Sequence, residues 1–331
     1  MLPPNRRLLP YLLPPAAAAS LWLASQGSMA RAVARAGGNP ASHSRQGLYF
    51  GLEPPHQTPV LFAPNLVSTR REHSAAMFGA AGTEIWFARL SPTEILFITR
   101  NGGAWSEPRT APFSGQYPDL YPSLTADGNR LYFTSQRPPS PGAHPLPRGQ
   151  GLLWFVRRTR TGWSEPERFD IVTDPRSLPS NVSVAASGNL YLAMRDVDQP
   201  GLSLDIYRVR FESGRYLRPE RLQVISSPTP DHSPFVAPDE SYLIWSSFRG
   251  GYGLSDLFIS FRAADGGWSE PRNLGPSVNS GAKDEFPYVT PDGRFLIFNS
   301  NRASALNAHP IGDGAGNIFW VEAGPLLAPR P

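Results

Sequence analysis

Seven residues could do chemistry if the fold brought them together: Glu72 and His73, Asp119, Asp231 and His232, and Asp284 and Glu285. Carboxylates and imidazoles converging on one point suit a cation or a polyhydroxylated ligand. The same groups also suit a structural task, accepting backbone hydrogen bonds in loops between repeated units. They recur at similar offsets ahead of short apolar strands, which favours the structural task; Pro179-Ser180 stands in their place once and breaks the pattern. A transition-metal centre needs at least three ligands at ~2.0–2.2 Å. Only two imidazoles are on offer, so we expect neither metal nor cofactor. No catalytic residue is assigned either. Asp231, His232 and Ser233 have the composition of a hydrolytic triad, but neighbours along a strand point to opposite faces. A Gly-x-Ser-x-Gly elbow, a His-Glu-x-x-His helix, a phosphate loop and a dinucleotide-binding glycine set are all absent from the sequence.

The elements that would position these residues are repeats. Trp-Ser-Glu-Pro occurs at Trp105–Pro108, Trp163–Pro166 and Trp268–Pro271, each time closing a longer unit. A period of roughly 40–60 residues marks a repeat architecture. The unit is clearest at Phe286-Pro-Tyr-Val-Thr-Pro-Asp-Gly293, followed by Arg294-Phe-Leu-Ile-Phe-Asn-Ser-Asn-Arg302 and Asn317-Ile-Phe-Trp-Val321. Counting the central turns at Gly82, Gly128, Gly188, Glu240 and Gly293 gives five units. Each reads as four short strands rich in β-branched and aromatic residues, with a tight hairpin between the first two. Glu240, standing where the others have glycine, implies a different turn in the fourth unit. No window of about a dozen residues in the mature part sustains a helical apolar period, so helices should be nearly absent. The chain is therefore expected to be all-β, a five-bladed β-propeller of four-stranded blades.

The fifth unit stops after its third strand. Upstream of the first unit, Thr58-Pro-Val-Leu-Phe-Ala-Pro64 aligns with Glu270-Pro271-Arg-Asn-Leu274-Gly-Pro276, the outer strand leading into unit five. The N-terminal segment should thus complete the last blade and close the ring, removing two open strand edges.

The pattern Asp-Gly-x-x-Leu-x-Phe-x-Ser-x-Arg, followed by Asp-Ile/Leu-Phe/Tyr, resembles the WD40-like repeat of TolB-type propellers. The resemblance spans about Tyr49 to Val321. It implies a bacterial, exported propeller that binds a protein partner, and it carries over no catalytic residue, since none defines these repeats.

Composition narrows the compartment. There are no cysteines, which excludes disulfides, thiolate metal ligands and a lipidated N-terminal cysteine. Residues 1–30 carry Arg6 and Arg7, then an apolar stretch from Leu8 to Ala24 broken by Pro10, Pro14 and Pro15. That is the layout of a secretory signal rather than a permanent membrane span. Residues 31–46 read as a flexible leader, 47–323 as a single propeller domain and 324–331 as a tail. The expected compartment is periplasmic or secreted. Lys283 is the only lysine and the formal net charge is +4, so clustered basic residues for nucleic acid are lacking.

On one face of such a propeller lie the start of strand one, the end of strand two and the start of strand three. The seven candidate residues should ring the channel mouth there. The arginines ending strand two, Arg137, Arg249 and Arg302 with Arg89 and Arg195, are expected to meet strand-three acids, pairing Arg195 with Asp205 and Arg249 with Asp256. The reading that results is a non-catalytic propeller binding a protein or cell-envelope partner. The alternative is a carbohydrate-active hydrolase or lyase using carboxylates at the channel mouth.

Overall fold

The structure, a computed structural model, describes residues 45–328 except 70, 80, 172–173, 196–203 and 305–315. The signal segment, nearly all of the leader and most of the 303–316 loop therefore lie outside the described residues.

Five antiparallel blades form the chain. Blade one comprises His73–Phe78, Glu84–Leu90, Thr93–Asn101 and the outer strand Arg109–Thr110. Blade two comprises Asp119–Leu124, Arg130–Ser135, Leu152–Thr159 and Glu167–Arg168. Blade three comprises Ser180–Val184, Leu190–Arg195, Leu204–Val209 and Glu220–Arg221. In blade four the strands are Asp231–Val236, Tyr242–Ser247, Asp256–Phe261 and Arg272–Asn273. Blade five has Asp284–Val289, Phe295–Ser300 and Asn317–Glu322, and its outer strand is Val60–Leu61 from the other end of the sequence. Val60 pairs with Trp320 and Leu61 with Phe319, so the ring closes as the repeat count requires. The five first strands each abut the first strands of both neighbours around a central channel.

Apolar burial is concentrated between blades. Each of the five hydrophobic clusters fills the gap between two adjacent sheets. Between blades one and two, for example, Met77, Trp86 and Ile95 face Leu131, Phe133 and Trp154. Between blades five and one, Tyr49, Phe50 and Phe62 pack with Phe78, Trp105, Phe295 and Trp320, so the closing segment fills core as well as an edge.

The Trp-Ser-Glu-Pro motif has a physical account. The indole leans out of its own blade onto the preceding one: Trp163 lies edge-on to Trp86, with ring centroids 5.5 Å apart, and Trp268 edge-on to Tyr191 at 6.0 Å. Trp105 packs against Phe50 of the closing segment at 4.9 Å. The serine bonds the third strand twice, and its amide donates to the carbonyls of Thr99, Arg157 and Phe261 at 2.8 Å. Its Oγ accepts from the third-strand amides of Thr99 (3.2 Å), Arg157 (3.0 Å) and Phe261 (3.0 Å). Blade five has no such motif. There the short helix Gly324–Leu327 leans on blade four instead, and Arg272 Nη2 donates to Leu326 O at 2.8 Å.

The turn in blade four corrects the sequence reading. Glu240 adopts φ 59°, beside 71° at both Gly128 and Gly293. All three close the same hydrogen bond, from their amide to Ala237 O, Thr125 O and Thr290 O, at 2.8–2.9 Å. The turn is the same; a glutamate bears it. Its carboxylate reaches blade three, accepting from Tyr191 Oη at 2.6 Å, from Asn189 Nδ2 at 2.9 Å and from Ser187 Oγ. Those bonds offset the cost of a left-handed non-glycine residue.

Candidate functional site

The axial channel carries two different environments, one on each side of an aromatic septum. At the mouth where the first strands start, Asp119, Asp231 and Asp284 are fully buried and turned into their own blades. Asp119 receives both carboxylate contacts from Arg137 Nη2, at 2.9 and 3.1 Å. Arg249 Nη2 lies 2.9 Å from Asp231 and Arg302 Nη2 2.6 Å from Asp284. Burial pushes the Asp119 carboxyl up and the Arg137 guanidinium down, with their pairing opposing both shifts. The expected pairing of Arg249 with Asp256 is thus replaced by Arg249 with Asp231. Asp256 instead accepts from the amides of Tyr252 and Gly253 and from Asn273 Nδ2. Asp205 is held by Arg221, at 2.8 and 3.1 Å, and not by Arg195, whose side chain is exposed. The arginines lie beyond the ends of their strands, where alternation no longer fixes direction, and they fold back onto the first strand.

In blade one the aspartate position is taken by His73: it pairs across to Arg89 where Asp119, Asp231 and Asp284 pair across to Ser135, Ser247 and Ser300. His73 and His232 are therefore not equivalent; His232 corresponds to Ser74. The His73 ring is buried, 2.8 Å from Thr69 Oγ1 through Nε2, and burial with the nearby arginines Arg89 and Arg71 holds it down at about 4. Glu72 is half-buried at the rim, and Arg89 turns to Glu94.

His232 and Glu285 are brought together. A residue with positive φ interrupts every first strand at the same place: Ala75, Tyr121, Asn181, Ser233 and Phe286. All five first strands shift register there against their second strands. The bulge undoes strand alternation, so the adjacent residues His232 and Ser233 meet, with Nδ1 and Oγ 3.0 Å apart. On the other side of the ring, His232 Nε2 is 3.6 Å from Glu285 Oε1 of blade five. Burial holds the imidazole down at about 4 and pushes the Glu285 carboxyl up to about 7, against the pull of Lys283. Serine, imidazole and carboxylate are thus in line, yet Ser233 has no exposed surface. As it stands the cluster can hold or pass a proton, but its hydroxyl faces no space for a substrate.

Directly beside it, Tyr121 of blade two stacks on Phe286 of blade five across the axis, ring centroids 5.2 Å apart and planes 21° apart. Burial, then Glu285, pushes the Tyr121 phenol up to about 12. Below this septum the channel opens as a cup of roughly 320 Å³ toward the hairpin-turn face. Its collar is Ala76, Pro122, Val182, Pro234 and Pro287, one residue from each blade immediately after the bulge. The cavity lining carries no acid or base that would mark it in the sequence. The signal was there, in the X-Pro pairs Tyr121-Pro122, Ser233-Pro234 and Phe286-Pro287 at one repeat position. Among the described residues no three His, Asp or Glu side chains gather as a metal centre would require.

No protein-family model matches the sequence, and no curated protein does. Solved structures to which the chain is similar include a TolB-type protein from Agrobacterium tumefaciens, 18% identical over 73% of each chain with a TM-score of 0.47. TolB from Acinetobacter baumannii is 14% identical, over 78% of this chain, with a TM-score of 0.48; the chain spans 59% of its length. An endo-arabinase from Bacteroides thetaiotaomicron is 13% identical, over 82% of this chain and 97% of its own, at a TM-score of 0.49. The architecture rests on the five sheets and their closure rather than on these likenesses.

Proposed function

We propose that the chain is an exported, non-catalytic binding propeller that docks a protein or cell-envelope partner on the face where the first strands start. The observation that carries this reading is the division of labour on that face. Its aspartates are spent on arginines inside the blades, while Val224, Phe248, Tyr252 and Leu254 lie exposed on two connections of blade four, with Leu254 63% accessible. Three of the four, Phe248, Tyr252 and Leu254, fall within seven residues of one connection, and exposed apolar side chains held close together suit a docking surface. Among the described residues, the connections between second and third strands on this face range from the two residues Ser91-Pro92 to the 136–151 segment. Variable loops on a rigid scaffold are where recognition is usually built.

A glycosidase would need two free carboxyls flanking a scissile bond. Asp119, Asp231 and Asp284 are not free, and Glu285 faces an imidazole, so the geometry favours binding over the carbohydrate-active alternative. Residues 1–30 fit a cleaved export signal and 47–323 the working domain. No helix among the described residues is long and apolar enough to cross a membrane.

The test is a photo-crosslinking amino acid placed at Leu254, with Val60 on the outer strand of blade five as comparison, in cells producing the full chain. We expect a discrete adduct from position 254 that Tyr252→Glu removes, together with a mature N-terminus shortened by the signal. Equal labelling from both positions, or none, would defeat the docking reading.

A further inference from the structure

The cup below the septum lies on the opposite face from the docking surface and has its own chemistry. Two successive rings of residues wall it, Ala76, Pro122, Val182, Pro234 and Pro287, then Phe78, Leu124, Val184, Val236 and Val289. Phe286 closes it toward the septum. No Asp, Glu, Lys, Arg or His lines it.

The prolines matter beyond their size. A first strand is the innermost of its blade, so one edge of its backbone faces the axis without a partner strand. Proline removes the amide donor from that edge. Two of the remaining amides are met across the blade gaps, Leu124 N by Met77 Sδ at 3.1 Å and Val236 N by Ser183 Oγ at 2.9 Å. Tyr288 likewise spends its hydroxyl on Phe78 O at 2.8 Å. Two polar side chains in the wall, Ser123 and Asn181, make no hydrogen bond to the protein among the described residues.

We infer that this cup is a binding site for an uncharged, largely apolar molecule of about two fused rings carrying one or two polar groups. Size sets the first bound, because an engineered apolar cavity of about 150 Å³ takes a single benzene ring, and this one holds roughly 320 Å³. Charge sets the second. An ionised group would leave water for a wall with no counter-ion, which is expensive. The Phe286 ring at the base and the Tyr288 and Phe235 rings, edge-to-face at 5.3 Å in the wall, offer aromatic contacts to a flat ligand. The Asn181 amide and Ser123 hydroxyl supply the donor and acceptor that would orient it.

Calorimetric titration of the full chain with 1-naphthol, and with its ionised analogue 1-naphthoate, tests the site. Saturable one-to-one binding of 1-naphthol is expected, with 1-naphthoate at least about tenfold weaker because of its charge. Ala126→Trp at the open rim and Val184→Trp in the second ring should each abolish binding, with cooperative melting confirming that at least one variant folds. No saturable binding by the wild-type chain, equal affinity for the two compounds, or binding that survives in a folded tryptophan variant would overturn the proposal. This site shares no residue with the docking face, so either reading can fail alone.

Discussion

Asp284 and Arg302, eighteen residues apart, meet at 2.6 Å between Oδ1 and Nη2, and the arrangement recurs at the same spacing as Asp119–Arg137 and Asp231–Arg249, each at 2.9 Å. Each guanidinium also donates through Nε to a serine ending the second strand, Ser135 (3.0 Å), Ser247 (2.9 Å) or Ser300 (2.8 Å). Through Nη2 it reaches a carbonyl of the connection arriving from the preceding blade, Phe113, Ile225 or Val278. One arginine thus ties the first strand, the second strand and the incoming chain.

The two halves of this clamp should not be equally costly to remove. Among the described residues, Arg249→Met leaves the fully buried Asp231 carboxylate with only Trp245 Nε1 and the Ser227 amide, and about 3–5 kcal/mol of stability should be lost. Asp231→Asn should cost less, since the Arg249 side chain is 19% exposed and can turn toward water. Urea unfolding at neutral pH measures both. A small loss for Arg249→Met would mean that the pair is ornamental.

Glu240 combines backbone strain with three bonds to blade three. Glu240→Gly relieves the strain, worth about 1 kcal/mol or more, but abandons Tyr191 Oη in a buried gap, at about 1–3 kcal/mol. The net effect should be destabilising. At Gly293 nothing lies within 4 Å of an added Cβ, so Gly293→Val tests conformational strain alone and should cost about 1–3 kcal/mol. A melt raised by Glu240→Gly, or untouched by Gly293→Val, would contradict this account of the turns.

Much of this fold was legible because repetition marks equivalent positions. Three copies of Trp-Ser-Glu-Pro, four glycines at the hairpin turns and a missing last strand led directly to five blades and an N-terminal closing strand. What stayed hidden was side-chain direction. The bulges at Tyr121, Ser233 and Phe286 fall on ordinary residues with no glycine to flag them, so strand alternation wrongly separated His232 from Ser233. The arginine partners were misassigned because a side chain just beyond a strand end can fold either way. The cup escaped notice because its lining carries no titratable group, although its prolines repeat as regularly as the acids.

Glu285 should leave a pH signature. Its carboxyl titrates near 7 in the folded chain, against 4.5 for an ordinary one, and burial is the main cause. Between those values the folded chain keeps a proton that the unfolded chain has lost, so stability falls as pH rises through the window. Glu285→Gln stays neutral throughout and should remove the decline. Relative to wild type it should gain roughly 2–3 kcal/mol between pH about 5 and 8, one pKa unit being about 1.4 kcal/mol. His232, held at about 4, stays neutral across the window and adds nothing there. A stability difference that does not change between the two pH values would show that Glu285 titrates normally.

Ring closure gives the sharpest test of the architecture. A chain starting at Arg45 keeps the strand Val60–Leu61, the Tyr49 hydroxyl bonded to Asp292 at 2.7 Å and Phe62 in the core. A chain starting at Val67 loses all three and leaves Asn317–Glu322 as an exposed edge whose central residues, Ile318 to Val321, are apolar and otherwise buried. Unpaired apolar edges recruit other chains. Phe50 and Phe62 are almost fully buried, and losing an aromatic from a core costs about 3–5 kcal/mol each, as much as a typical domain has to lose. The longer deletion should therefore aggregate or unfold without cooperativity, while the shorter gives a sharp, monomeric melt. Soluble, cooperatively folding protein from the chain starting at Val67 would mean that the terminal strand decorates a ring already closed without it.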